Sequence, residues 1–228
     1  MKQLPDDPKA HRRWGITVDY FNMDQAYKVN KFMLGSQDEA IMDLSQIDAH
    51  NDTQQLSLKL DFWPTRYLNI FGILGRADAD TIIDLDYVSS ANPLKITSEG
   101  TLFGAGFTLA RGGKSWFSSF NATLTESRMN GDIESSVRNL TIQPRLGLVK
   151  GKMTYWVSAI YLKTDEEHKG SVELPALGAI PVSLVLAGEY PWSAGLGVGH
   201  VFSPKAMMFI ELGLGRRDHL QFSSTYRF

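Results

Sequence analysis

One pair of aspartates and one acid–histidine pair are the residues best placed by type and spacing for hydrolysis. Asp84 and Asp86 stand two apart in Asp84-Leu-Asp86, and Glu166 and His168 stand two apart in Asp165-Glu-Glu-His168. A histidine oriented by a carboxylate can take a proton from water, while a pair of aspartates holds that water against a carbonyl. The chemistry requires the two segments to converge on one pocket. Acids and histidines are also what solvated loops are made of, and that is the simpler account: His168 is expected in solvent.

Other constellations carry less. His200 and Ser203 are three apart and fall on opposite faces of a strand. His219 and Ser223 share a face but are four residues apart, at about 3.3 Å per residue, so neither pair assembles a Ser–His site of the lipid-modifying kind locally. Gly195-Leu-Gly-Val-Gly199 lacks the helix that would complete a dinucleotide site. With no Cys there is no disulfide framework, thiolate metal site or Cys nucleophile. The acidic segments lack the spacing of an EF-hand, so neither a metal nor a cofactor is expected. A formal net charge of -2 gives no electrostatic case for nucleic acid.

The elements that must position these residues are strands. In Leu220-Gln-Phe-Ser-Ser-Thr-Tyr-Arg-Phe228, the residues Leu220, Phe222, Ser224, Tyr226 and Phe228 share one face, and Gln221, Ser223, Thr225 and Arg227 share the other. This ending resembles the closing strand of Gram-negative outer-membrane β-barrels, whose terminal aromatic residues serve as an assembly signal; Tyr226 and Phe228 stand at those positions. Similar alternation predicts strands at about 14–21, 54–62, 67–77, 99–110, 115–126, 136–149, 152–163, 191–202, 206–216 and the closing segment. The connections at 64–66, 111–114, 150–152 and 203–205 are short. Those at about 22–53, 78–98, 127–135 and 164–190 are long and polar, and the two kinds alternate. That two-sidedness predicts an all-β, up-and-down antiparallel transmembrane barrel of about ten strands, with short periplasmic turns and long extracellular loops. No run of 18 apolar residues is available for a transmembrane helix, which does not bear on a barrel. Trp14, Trp63, Tyr67, Trp116, Trp156, Trp192, Phe202, Tyr226 and Phe228 cluster near strand ends, as interfacial girdles do.

The resemblance extends to Glu189-Tyr-Pro-Trp-Ser-Ala-Gly-Leu-Gly-Val-Gly199, Phe209-Ile-Glu-Leu-Gly-Leu-Gly-Arg-Arg217 and Asp61-Phe-Trp-Pro-Thr-Arg-Tyr-Leu-Asn-Ile-Phe-Gly72, which look like an uncharacterised group of outer-membrane barrel proteins. It implies a fold and a location, the bacterial outer membrane, and no activity. It implies outer-membrane lipid and lipopolysaccharide as surroundings and the barrel assembly machinery as a partner. The start Met1-Lys-Gln-Leu-Pro-Asp-Asp is too polar for a signal peptide, so a mature form is expected. The paired acids with Glu166 and His168 resemble the omptin outer-membrane proteases, which would make Asp84, Asp86, Glu166 and His168 catalytic. Omptins are longer, with taller strands above the membrane, and their remaining motifs are not evident.

Inside a ten-strand barrel the inward parity selects Asp19, Lys59, Asp61, Arg145, Glu211, Gln221 and Arg227 as a lumenal network of paired charges. Barrels of this size are filled by side chains, so a largely closed lumen is expected. Glycines 104, 106, 195, 197, 199, 213 and 215 mark the inner faces, where they allow curvature or close approach. In the first long connection, Ala40, Ile41, Leu44 and Ile47 after Ser36 have helical spacing; a short helix over the mouth or a tall strand extension fits. The expectation is one domain over 1–228, monomeric and not an enzyme. Its role is structural or surface-binding, or one of minor solute permeation. An omptin-like protease or a lipid-modifying barrel enzyme is the alternative.

Overall fold

The computed structural model describes residues 13–34, 48–83, 94–131, 134–174 and 178–228. Eleven antiparallel strands form one closed sheet: β1 (Trp14–Leu34), β2 (Asp48–Phe62), β3 (Leu68–Ile83), β4 (Leu94–Gly112), β5 (Trp116–Gly131), β6 (Glu134–Lys150), β7 (Met153–Leu174), β8 (Gly178–Gly188), β9 (Trp192–Val201), β10 (Ala206–Leu214) and β11 (Arg217–Arg227). Four tight connections lie at one end of the barrel, at the positions expected from the sequence, and the connection from β10 to β11 is tight at the other end. One of the four, Lys150-Gly151-Lys152, turns on Gly151 with φ 62°, a conformation that favours glycine.

The ring has two widths. Near the short turns β1 pairs β11 from Gly15 to Gln25, and β7 pairs β9 from Met153 to Tyr161. Ten strands close the barrel there: β1 to β7 with β9, β10 and β11. Farther along, β1 pairs β8 from Tyr27 to Leu34, and β7 pairs β8 from Asp165 to Leu174. A single strand thus replaces three, and eight strands close the ring. Barrel diameter grows with strand number, so this end is narrower.

Polarity inverts where the width changes. In the wide part the outward residues are apolar, as with Trp14, Ile16, Val18 and Tyr20 on β1, or Leu56, Leu58, Leu60 and Phe62 on β2. Many are exposed, Leu74 and Leu146 by more than half. Aromatics border this band: Trp14, Tyr67, Trp116, Tyr155, Phe202, Tyr226 and Phe228 below, Tyr20, Phe103, Tyr161 and Trp192 above. Such a belt is a membrane-facing surface. Beyond it the outward residues become Asn22, Asp24, Asp52, Arg76, Asp78, Lys163, Asp165 and Glu167, while the inward ones become Tyr27, Val29, Ala49, Ile83, Ile96, Leu184 and Leu186, a buried cluster. About nine to eleven tilted residues cross a membrane. The 21 residues of β1 therefore continue roughly 25 Å past the apolar band, at about 3.3 Å per residue and barrel tilt.

These strands correct the loop expectations. Most of 22–34, 48–53, 78–83, 94–98, 127–131 and 164–174 is strand, and 178–188 is an additional strand inside the expected loop 164–190. The connection between β5 and β6 is short. The expected helix over residues 37–47 lies outside the described residues. Trp156 faces the lumen and is buried, so it belongs to the interior and not to a girdle.

Candidate functional site

Inward parity places all seven expected lumenal residues inside the wide ring. On β1, Asp19 accepts from Ser223 and Gln221 of β11 and lies 3.9 Å from Lys59 Nζ of β2. Next to it Asp61 accepts from Asn69 Nδ2 at 2.6 Å and from Arg227 Nη1 at 3.0 Å. Gly15 makes room for that carboxylate, since a Cβ there would stand 2.3 Å from Asp61 Oδ2.

A second cluster centres on Glu211 of β10, which is fully buried. It accepts from Arg145 Nε at 3.0 Å, from Ser158 Oγ at 3.3 Å, and from Gln143 and Trp156 Nε1; His219 Nε2 stands 3.8 Å away. Every oxygen of the buried carboxylate is therefore supplied with donors, which a charge in such a place requires. Arg145 also lies over the rings of Trp156 and Phe209, at 5.7 and 5.5 Å. Glycines shape this cluster by close approach. A Cβ on Gly197 would stand 2.0 Å from the Trp156 ring, and one on Gly213 would stand 1.9 Å from His219. The partners Asn69, Gln143 and Ser158 were not singled out from sequence, and His219 and Ser223 were weighed there only as a Ser–His pair. Their signal is parity: Gln143 precedes Arg145 by two, and His219 and Ser223 flank Gln221 by two.

The branch point carries its own donor. Where β8 gives way to β9 and β11, Arg217 is buried and its guanidinium points at the carbonyls of Tyr190, Pro191 and Ile160, each at 3.4 Å, and at Ser193 Oγ, at 2.9 Å. Carbonyls around a strand end leave the regular ladder, and the five-donor fork of arginine suits them.

The narrow ring holds the other half of the interior. Ser135 Oγ of β6 lies 2.5 Å from His168 Nδ1 of β7, and His168 Nε2 lies 2.7 Å from Glu166 Oε1 without hydrogen-bond alignment. Tyr27 also bonds Glu166, and Gln25 donates to the Tyr27 hydroxyl at 2.7 Å. Burial first, then the Glu166 carboxylate, holds the Tyr27 phenol well above its usual range, so it stays a donor. His168 is fully buried, which overturns its expected solvation: its strand runs on above the membrane and turns it inward. Asp84 and Asp86 lie outside the described residues. Ser135, His168 and Glu166 have the residue types of a hydrolytic triad. The cavity beside them, of about 20 Å³, has room for about one water and is bounded by Met23, Tyr27, Ala79, Met129 and Glu166.

Outside, β2 to β5 bear an open hollow of about 900 Å³ lined by Asp52, Arg76, Asp78, Asp80, Thr97 and Glu99. Among the described residues no cluster of three or more His, Asp or Glu is arranged to hold a metal ion. Tyr226 and Phe228 face outward in the lower aromatic border, and the Phe228 amide donates to Trp14 O at 3.1 Å across the seam that closes the barrel.

No protein-family model and no curated protein matches this chain. Among solved structures it is similar to the outer membrane protein OprG from Pseudomonas aeruginosa, at 8% identity and TM-score 0.56, with 95% of this chain and 97% of that chain covered. Two further similarities have lower TM-scores: the beta domain of the Bordetella autotransporter BrkA, at 10% identity, 95% and 99% coverage and TM-score 0.48, and the outer membrane protease OmpT from Escherichia coli, at 9% identity, 95% and 97% coverage and TM-score 0.47. With the apolar belt and its aromatic borders, the likeness to OprG gives this chain the fold of a bacterial outer-membrane β-barrel.

Proposed function

We propose that this barrel is non-conducting and acts from the cell surface, as a rigid strand-built shaft that presents its outer faces above the membrane. The carrying observation is the filling of both rings. Charges from β1, β2, β6, β10 and β11 meet as pairs inside the wide ring, and an apolar cluster occupies the narrow one. A ring of eight strands leaves an interior just wide enough for side chains. The polar hollow on β2 to β5 is the candidate binding face. The chain works as a monomer, with Tyr226 and Phe228 as its signal to the barrel assembly machinery. The test is a planar-bilayer recording of purified protein. The expected result is an absence of stable unitary steps; a steady, large unitary conductance overturns the closed-lumen reading.

A hydrolytic role is the second reading, favoured by the contacts of Ser135, His168 and Glu166. Against it stands burial: Ser135, His168 and Glu166 are all buried among the described residues, so they offer a substrate carbonyl little surface to meet.

A further inference from the structure

We propose that the short-turn rim of the barrel is a binding surface for anionic phospholipid headgroups. The four short turns and their flanks carry Arg66, Arg111, Lys114, Lys150, Lys152 and Lys205, and no exposed acidic side chain; the flanking Asp61 is buried and paired with Arg227. All six cations are exposed, and none is paired with a carboxylate among the described residues. The turns join β2 to β3, β4 to β5, β6 to β7 and β9 to β10, so the charge is spread around the ring.

The opposite end of the molecule provides the contrast. There the outward cations face carboxylates: Lys95 Nζ lies 3.5 Å from Asp80, Lys163 Nζ lies 3.0 Å from Asp165, Arg138 Nε lies 3.5 Å from Glu126, and Arg76 pairs with Glu99. With a chain net charge of only -2, the unpaired rim is a property of placement and not of composition.

Depth selects the partner. The turns are too short to carry these side chains far from the bilayer. They sit directly on the lower aromatic border, with Arg66 over the Tyr67 ring at 5.8 Å and Lys205 over the Tyr226 ring at 6.0 Å. Aromatic rings at an interface lie at headgroup level, and a lysine or arginine extending from them reaches a phosphodiester. Charge complementarity then favours a headgroup with net negative charge over a zwitterionic one, by about fivefold per cation near an anionic surface. The surface is independent of whether the lumen conducts.

The test uses the full chain in phosphatidylcholine vesicles with trace spin-labelled phosphatidylglycerol or spin-labelled phosphatidylcholine. The readout is the fraction of each label held motionally restricted at the protein. Wild type is expected to retain the glycerol lipid at least about threefold better, with the preference falling as salt rises. The rim variant R66Q/R111Q/K114Q/K150Q/K152Q/K205Q is expected to fall to about unity. The opposite-end variant R128Q/K163Q/K169Q is expected to keep the preference. Heat-modifiable migration of all three proteins checks the fold. Equal retention of both lipids by wild type, as for a rim serving an acidic polymer in the aqueous space, overturns the proposal. So does a preference that survives in the rim variant or disappears in the opposite-end variant.

Discussion

Glu211→Gln removes one charge from the wide ring while keeping the volume, and it replaces one of the two acceptor oxygens by an NH2 donor. Arg145 then keeps its position, 18% exposed, with its carboxylate gone. Breaking a buried ion pair by removing one partner costs about 3–5 kcal/mol, and the partial exposure of Arg145 places this case at the lower end, about 3 kcal/mol. Urea unfolding in lipid vesicles, followed by tryptophan fluorescence, measures it. With a slope of about 2 kcal/mol per molar, the midpoint should fall by about 1.5 M. Arg145→Met is the complementary change. It leaves Glu211 with Trp156, Gln143 and Ser158 still donating and His219 at 3.8 Å, so the expected loss is smaller, about 1–2 kcal/mol. The double variant has neither charge and should lie within about 1 kcal/mol of wild type, a coupling of at least about 3 kcal/mol between the two sites. A Glu211→Gln midpoint within about 0.3 M of wild type, or strictly additive losses in the double variant, would refute the claim that this pair ties the ring together.

Arg217→Met keeps an apolar stem at the branch but strips its donors from three carbonyls. We expect a loss of about 2 kcal/mol, with limited proteolysis cutting first near Tyr190–Ser193 and not in the apolar band; uniform protection throughout would contradict the capping role. His168→Ala empties a fully buried position and leaves the Ser135 hydroxyl without its ring-nitrogen partner, for about 2–4 kcal/mol. Its effect should appear as exchange of amide protons in β6, β7 and β8 while the membrane band stays protected. Wild type should not cleave added peptides; cleavage abolished by His168→Ala in a folded protein would instead establish the hydrolytic reading.

The wide ring was legible because one rule governs it. Outward apolar and inward polar side chains alternate with period two, so Leu56, Leu58 and Leu60 name the membrane face, and the same parity names Lys59 and Asp61 for the lumen. The narrow ring follows the same period with the faces exchanged. In Lys163-Thr-Asp-Glu-Glu-His168, Lys163, Asp165 and Glu167 point to water while Thr164, Glu166 and His168 point inward. A polar inward face beside a polar outward face shows no hydrophobic alternation, so the segment reads as a loop. The strand β8 was hidden differently. Val182-Ser-Leu-Val-Leu-Ala-Gly188 is apolar on both faces, which leaves periodicity nothing to register. Ser135, Tyr27 and Arg217 could not be singled out without those extensions, since each acts only through partners on other strands.

The two halves of the interior answer two different constraints. Within the bilayer the outward face must be apolar, and a strand that alternates is left with polar residues for the lumen; those must pair, which Asp19, Asp61 and Glu211 do. Above the bilayer the outward face meets water, and the inward face is free to be apolar, as in a soluble barrel. Eight strands suit that task better than ten, because the narrower ring brings Tyr27, Val29, Ile83, Ile96, Leu184 and Leu186 into one contact cluster. Ending β9, β10 and β11 near the membrane edge and inserting β8 between β1 and β7 achieves the change of width without an open sheet edge, since β8 is paired on both sides. What the branch breaks is the ladder around Tyr190 and Pro191, and that is where the buried guanidinium of Arg217 stands. A pore would have to pass both the paired charges and the apolar cluster, whereas the outer faces of the projecting strands are free to bind. That is the ground on which we propose a function on the outside of the barrel, at its projecting faces and at its basic rim.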